Sequence, residues 1–186
     1  MLYIIPTDTC YGIWCPFYDK EAYERIYKLK KRSFDKPLAI LVESFNWLEK
    51  NTELTSKQVE FLRNYHRPFT ILTESTPSRV YLEFHTDEEE AFINKDIYTH
   101  ISFRVAHNDI QKKLLKETWP LWLTSANLAD AWETYGPEKI QEDFGYQIST
   151  WELVFHSDWE LDNSNPPSDV FSFIWESLEV EYTRRA

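Results

Sequence analysis

Pro6-Thr7-Asp8-Thr9-Cys10-Tyr11-Gly12 separates two apolar pieces, residues 2–5 and 12–15, and the rest of the chain is organised around it. Pro6 removes a backbone donor and fixes φ, so the run reads as a loop leaving a strand end. Two hydroxyls, a carboxylate, a phenol and a glycine crowd into it, which suits a polar small molecule held against backbone. The same residues also fit an Asx/ST turn in which Asp8 and Thr9 satisfy local amides. Taken alone, the loop leaves both readings open.

Outward from this loop the patterning alternates helix and strand. Residues 19–31 predict an amphipathic helix, with Asp19 as N-cap and Ala22, Ile26 and Leu29 at helical spacing. Its C-terminal end carries Lys30, Lys31 and Arg32, placed where cations complement the helix dipole. A polar turn over 33–36 feeds residues 37–42, a continuous apolar run expected of a strand covered on both faces. Helices are predicted over 44–50 and 55–65, the second capped by Thr55, followed by a strand over 68–73. A turn over 76–79, a short strand over 80–84 and an acidic corner over 87–90 come next. Residues 101–106 alternate as a strand with Arg104 in its middle, where burial demands a carboxylate partner or a ligand anion. A helix capped by Asn108 or Asp109 runs to Glu117, Trp119-Pro120 breaks it, and 121–123 is a strand ending in Thr124-Ser125-Ala126-Asn127. Small hydrogen-bonding residues at such a strand end mark where open α/β sheets hold ligands, although an N-capping turn has the same composition. Beyond lie a helix over 138–144, strands over 146–148, 153–156, 170–174 and 178–182, and a proline-stiffened polar loop over 162–169.

Composition narrows the classes. One domain spanning residues 1–186 is expected from the length, and 42% hydrophobic with 17% aromatic residues excludes wholesale disorder. No apolar run reaches membrane-spanning length and the start lacks a basic leader, so a soluble, cytoplasmic protein with no membrane partner is expected. Cys10 and Cys15 match neither a disulfide scaffold nor a zinc pair and read as buried thiols; no resident metal site is predicted. The net charge of −11 opposes a surface built to grip nucleic acid. Against this balance, 28–36 carries Lys28, Lys30, Lys31, Arg32 and Lys36 with only Asp35, whereas 140–183 has no Lys or Arg at all.

Three glycines exclude the Gly-rich phosphate loops, and Gly-x-Ser-x-Gly is absent. Hydroxyls, amides and a few cations gathered from several loops fit an adenylation or phosphoryl site that works by electrostatic positioning.

In chain order, Pro6-Thr7-Asp8-Thr9-Cys10-Tyr11-Gly12, Lys30-Lys31-Arg32, Lys36-Pro37-Leu38, Arg67-Pro68-Phe69-Thr70, Phe103-Arg104-Val105 and Thr124-Ser125-Ala126-Asn127-Leu128 resemble the YrdC/TsaC family of L-threonylcarbamoyladenylate synthases. The resemblance covers roughly residues 3–175. It implies an α/β fold, a twisted open mixed sheet flanked by helices with a deep concave groove. It also implies a reaction in which ATP, L-threonine and bicarbonate give threonylcarbamoyl-AMP and pyrophosphate for tRNA t6A modification, with Mg²⁺ as helper. The family's Lys-x-Arg motif falls on Lys30 and Arg32, which would be catalytic, and its Ser-x-Asn motif on Ser125 and Asn127; these four would hold the nucleotide. Thr7, Thr9 and Tyr11 would line the threonine pocket, Arg104 would serve a substrate carboxylate or phosphate, and Ser168 would close the site. A t6A transferase machinery would follow downstream, and the acidic balance argues against direct tRNA binding. The alternatives are a paralogue that keeps the nucleotide groove without this activity and a non-catalytic RNA-binding module. The sequence departs from the family at Tyr65-His66-Arg67-Pro68-Phe69-Thr70, where a Pro-Gly-Pro-x-Thr turn is usual, and at Ser33, where proline is usual.

Overall fold

The computed structural model describes residues 1–73, 95–98, 100–118, 120–129, 131–150, 153–155 and 166–185. The expected turn over 76–79, strand over 80–84 and acidic corner over 87–90 lie outside them, as does the first half of the loop over 162–169. The described residues form an α/β fold with nine strands and five α-helices. They group into two compact units, Met1–Leu38 with His107–Pro167, and Ala39–Ala106 with Ser168–Ala186.

In the first unit, β1 (Leu2–Pro6) pairs antiparallel with β2 (Tyr11–Pro16), which pairs antiparallel with β6 (Leu121–Ser125). The short β7 (Leu153–Phe155) adds parallel to the other side of β1. β2 is buried along its whole length, which explains a run of Tyr11 to Cys15 with no solvent-facing polar residue. Gly12 is required there: a Cβ at this position would sit 2.4 Å from the indole Nε1 of Trp14 and 3.2 Å from the Thr7 methyl. Helix α1 (Lys20–Lys30) begins with Asp19 Oδ1 accepting from the Ala22 N–H at 2.9 Å, as the pattern predicts. Its inner face buries Ala22, Tyr23, Ile26, Tyr27 and Leu29. Phe17 stacks on Trp122 with centroids 4.5 Å apart, and the Trp122 indole donates to Phe17 O. Helices α4 (Asp109–Thr118) and α5 (Pro137–Thr150) complete the unit. The strand expected over 146–148 is overturned: α5 continues through it. Ile140 and Phe144 are buried at helical spacing, and Gly145 weakens the helix without ending it.

In the second unit the strand order is β3 (Ala39–Val42), β5 (Ile101–Val105), β4 (Phe69–Thr73), β8 (Asp169–Phe173), β9 (Val180–Arg184). The pairs alternate parallel and antiparallel, so both units carry mixed sheets. Helices α2 (Phe45–Asn51) and α3 (Ser56–Arg63) start at Ser44 and Thr55, each side chain accepting a backbone N–H from three residues on. Gln58 closes a capping box on Thr55 and donates through Nε2 to the carbonyls of Trp175 and Ser177. That clamp holds the β8–β9 turn, in which Ile174 N–H donates to Glu179 O at 2.9 Å. β9 therefore begins at Val180 instead of Leu178.

Candidate active site

The loop between β1 and β2 is closed by its own hydroxyls. Thr7 Oγ1 donates to Cys10 O at 2.7 Å and accepts from the N–H groups of Thr9 and Cys10 at 3.1 and 3.2 Å. Thr9 Oγ1 lies 3.0 Å away from it. The turn reading thus describes the Thr7 hydroxyl, and Thr7, Thr9 and Tyr11 are all buried. The register Gly12 opposite Ser125 joins this loop to the end of β6, and the Ala126 N–H donates to Tyr11 O at 2.6 Å. Two stretches more than a hundred residues apart thus form one surface.

Lys30 enters the same place from the last turn of α1. Its side chain is only 2% exposed, yet its ammonium is fully engaged. Nζ donates to Ser125 O, to Asn127 O at 2.6 Å and to Asn127 Oδ1 at 3.1 Å. Asn127 is the hub: Oδ1 also accepts from Ser125 Oγ at 2.5 Å, and Nδ2 donates to Ala131 O at 2.6 Å. Burial, and after it the neighbouring Arg32, lower the Lys30 pKa to about 7, opposed by the fields of Cys10 and Glu133. The result is a charge held behind the Ser-x-Asn loop by three acceptors.

Arg32 is aimed by the helix end. Lys31 takes the left-handed conformation at φ 53°, and the Arg32 N–H reaches back to Tyr27 O at 2.9 Å. The half-buried guanidinium then donates to Pro37 O at 3.0 Å and Lys36 O at 3.4 Å. Phe34 stacks on Tyr27 at 4.4 Å, so the 33–36 turn is packed despite its exposure.

Beyond Asn127 the structure shows a strap to which the sequence pattern assigns no element. After Asn127 the chain returns over the site: Ala129 N–H donates to Lys30 O at 2.8 Å, Asn127 holds Ala131 O, and Tyr11 N–H donates to Thr134 O at 2.9 Å. It carries Trp132, Glu133, Thr134 and Tyr135. The one signal in the sequence is a tryptophan amid small and charged residues.

Arg104 and Ser168 belong to the other unit. Arg104 is buried in β5 opposite Leu41 of β3. Ser168 Oγ lies 3.0 Å from Thr70 Oγ1, and Arg184 donates to both the carbonyl and the hydroxyl of Ser168. Beside it Asp169 is buried, accepts from the Tyr65 phenol at 2.7 Å and pairs with Arg67 at 3.5 Å. Desolvation, then the hydrogen bonds to Tyr182 and Asp169, push the Tyr65 phenol well above its ordinary pKa. The altered turn around His66 is thus tied down by side chains, with Pro68 O accepting from the Asp169 N–H at 2.9 Å. Cys10 and Cys15 are buried thiols that form no disulfide, as expected. Among the described residues no group of three or more His, Cys, Asp or Glu is placed to hold a metal, and no described helix is long and apolar enough to cross a membrane.

A family model for Sua5, YciO and YrdC proteins, described as "Telomere recombination", matches residues 1–176. A threonylcarbamoyl-AMP synthase of Vibrio vulnificus is 28% identical over 170 residues, covering 89% of this chain and 83% of the relative. Among solved structures, Sua5 of P. abyssi complexed with L-threonine superposes with a TM-score of 0.70 at 23% identity, over 94% of this chain and 48% of that one. This chain therefore spans about half the length of that Sua5. E. coli YciO superposes with a TM-score of 0.73 at 20% identity, over 98% of this chain and 82% of its own.

Proposed function

Because the chain belongs to the Sua5/YciO/YrdC family, whose model spans residues 1–176, we propose that it is an L-threonylcarbamoyladenylate synthase. It would convert ATP, L-threonine and bicarbonate into threonylcarbamoyl-AMP and pyrophosphate, for tRNA t6A modification in the cytoplasm. The observation that carries this reading is the convergence of Lys30, Ser125 and Asn127, distant in sequence, on one hydrogen-bonded cluster beside the Thr7–Gly12 loop. The relatives named threonylcarbamoyl-AMP synthase support the reaction, and the threonine complex of P. abyssi Sua5 supports the substrate.

In this reading the carbamate oxygen of N-carboxythreonine attacks the α-phosphorus of ATP and the bond to pyrophosphate breaks. Negative charge grows on the leaving group, and preorganised cations stabilise it most in a dry site. Arg32 meets the phosphates by exchanging its carbonyl contacts for phosphate oxygens, a swap favoured because a charged acceptor replaces a neutral one. Lys30 supplies charge from behind the loop and fixes Ser125 and Asn127 against the nucleotide. Thr7, Thr9 and Tyr11 form the wall of the threonine pocket, largely through backbone and ring. By the family resemblance, Arg104 is assigned to a substrate carboxylate or phosphate and Ser168 to closing the site. Mg²⁺ belongs to the substrate as the counter-ion of ATP. A transferase that moves threonylcarbamoyl onto tRNA consumes the product, and direct tRNA contact by this acidic chain is not part of the proposal.

Pyrophosphate release tests it. Protein supplied with ATP, bicarbonate and L-threonine should release pyrophosphate, release should stop when threonine is omitted, and Arg32→Ala should lower turnover by about 10²-fold or more. Threonine-independent turnover would point to the paralogue reading, and no turnover above the Arg32→Ala level would refute the synthase.

A further inference from the structure

Trp132 is 91% exposed, at the middle of the strap that follows Asn127. Large aromatic side chains are seldom left this bare without a ligand or partner to cover them, because the unburied ring forgoes the largest apolar transfer energy available to a side chain. The strap is not a loose excursion. Its backbone is fixed to Lys30 O through Ala129, to the Asn127 amide through Ala131, and to Tyr11 N–H through Thr134. The peptide group joining Ala131 to Trp132 is the one whose carbonyl Asn127 Nδ2 grips at 2.6 Å. Asn127 in turn meets Ser125 Oγ and Lys30 Nζ. The indole thus stems from the peptide group held by the side chain assigned above to the nucleotide.

Resting on the synthase reading, we propose that Trp132 is the stacking platform for the adenine ring of ATP. A purine presents a π-face that indole matches without hydrogen-bond readout, and stacking of this kind tolerates any base. The neighbours fit that role: Ala131 is small and exposed, so a flat ring reaches the indole without a side chain in the way. Glu133 lies within electrostatic reach of Lys30, opposing the loss of its proton, and of the Tyr135 phenol, which it helps to push up. The phosphates are then recognised by the cations and the base by the strap, so that one motif, Asn127, links the two halves of the nucleotide.

Calorimetric titration of the full chain with ATP and, separately, with inorganic tripolyphosphate tests this. Trp132→Ala should weaken ATP binding by about five- to 150-fold, the range a stacked base contributes. It should leave tripolyphosphate binding and the thermal midpoint unchanged, since the ring is 91% exposed. Trp132→Phe should recover most of the ATP affinity, and GTP should bind wild type within a few-fold of ATP. Equal ATP affinity in wild type and Trp132→Ala overturns the proposal, as does an equal loss for tripolyphosphate. A wild-type protein that binds neither ATP nor tripolyphosphate refutes the nucleotide reading of the site itself, and the platform with it.

Discussion

Around Lys30 three hydrogen bonds converge on a charge that burial disfavours. With its pKa lowered from 10.5 to about 7, the folded chain releases this proton earlier than the unfolded chain does. Between pH 7 and about 10 the unfolded state therefore binds more protons, and the Lys30 term favours folding more strongly as pH rises, by up to about 1.4 kcal/mol per pH unit. The contribution is lost as pH falls through 7. Denaturant titrations of wild type and Lys30→Met at pH 7 and pH 9 should show the wild type gaining relative to the variant at the higher pH. A difference that does not change with pH would mean that Lys30 keeps an ordinary pKa. The type and spacing of Lys30, Arg32, Ser125 and Asn127 were legible in the sequence. That the lysine faces carbonyls was not, because its three acceptors are two backbone oxygens and one side chain nearly a hundred residues away.

Among the elements, the end of α1 does the aiming. Lys31 holds a left-handed conformation that costs a residue with a side chain roughly 1–2 kcal/mol relative to glycine, and it sits between the two residues of the Lys-x-Arg pair. Lys31→Gly should stabilise the fold by about 1 kcal/mol, part of the relief being offset by glycine's greater freedom when unfolded. At this chain length that is a rise of about 2–4 °C in thermal midpoint. A lower midpoint would mean that the Lys31 side chain contributes packing that outweighs the strain. The helix starts at Asp19, Ser44 and Thr55 were readable because capping is local chemistry. The end of α5 and the start of β9 were not. The helix α5 runs on through Gly145 to Thr150, and a clamp from Gln58 sets the β8–β9 turn, with Trp175 at φ 55°. The Gln58 clamp joins residues more than a hundred apart and leaves no mark in the local pattern.

For the molecule as a whole, alternation of apolar runs and amphipathic stretches disclosed the α/β class, and the ordered motifs disclosed the family that the match over residues 1–176 bears out. Strand order was beyond reach of the pattern, since β4 lies between β5 and β8 through pairings far apart in sequence. So was the strap, whose meaning comes from what it touches. The net charge of −11 is unevenly spread, with Lys28, Lys30, Lys31, Arg32 and Lys36 within nine residues. Mass spectrometry of the products formed from ATP, L-threonine and ¹³C-bicarbonate tests the proposed synthesis of threonylcarbamoyl-AMP most directly. A synthase should yield a nucleotide adduct that carries the ¹³C label, forms only with threonine present and accumulates in step with pyrophosphate. Pyrophosphate released with AMP alone and no labelled adduct would contradict it.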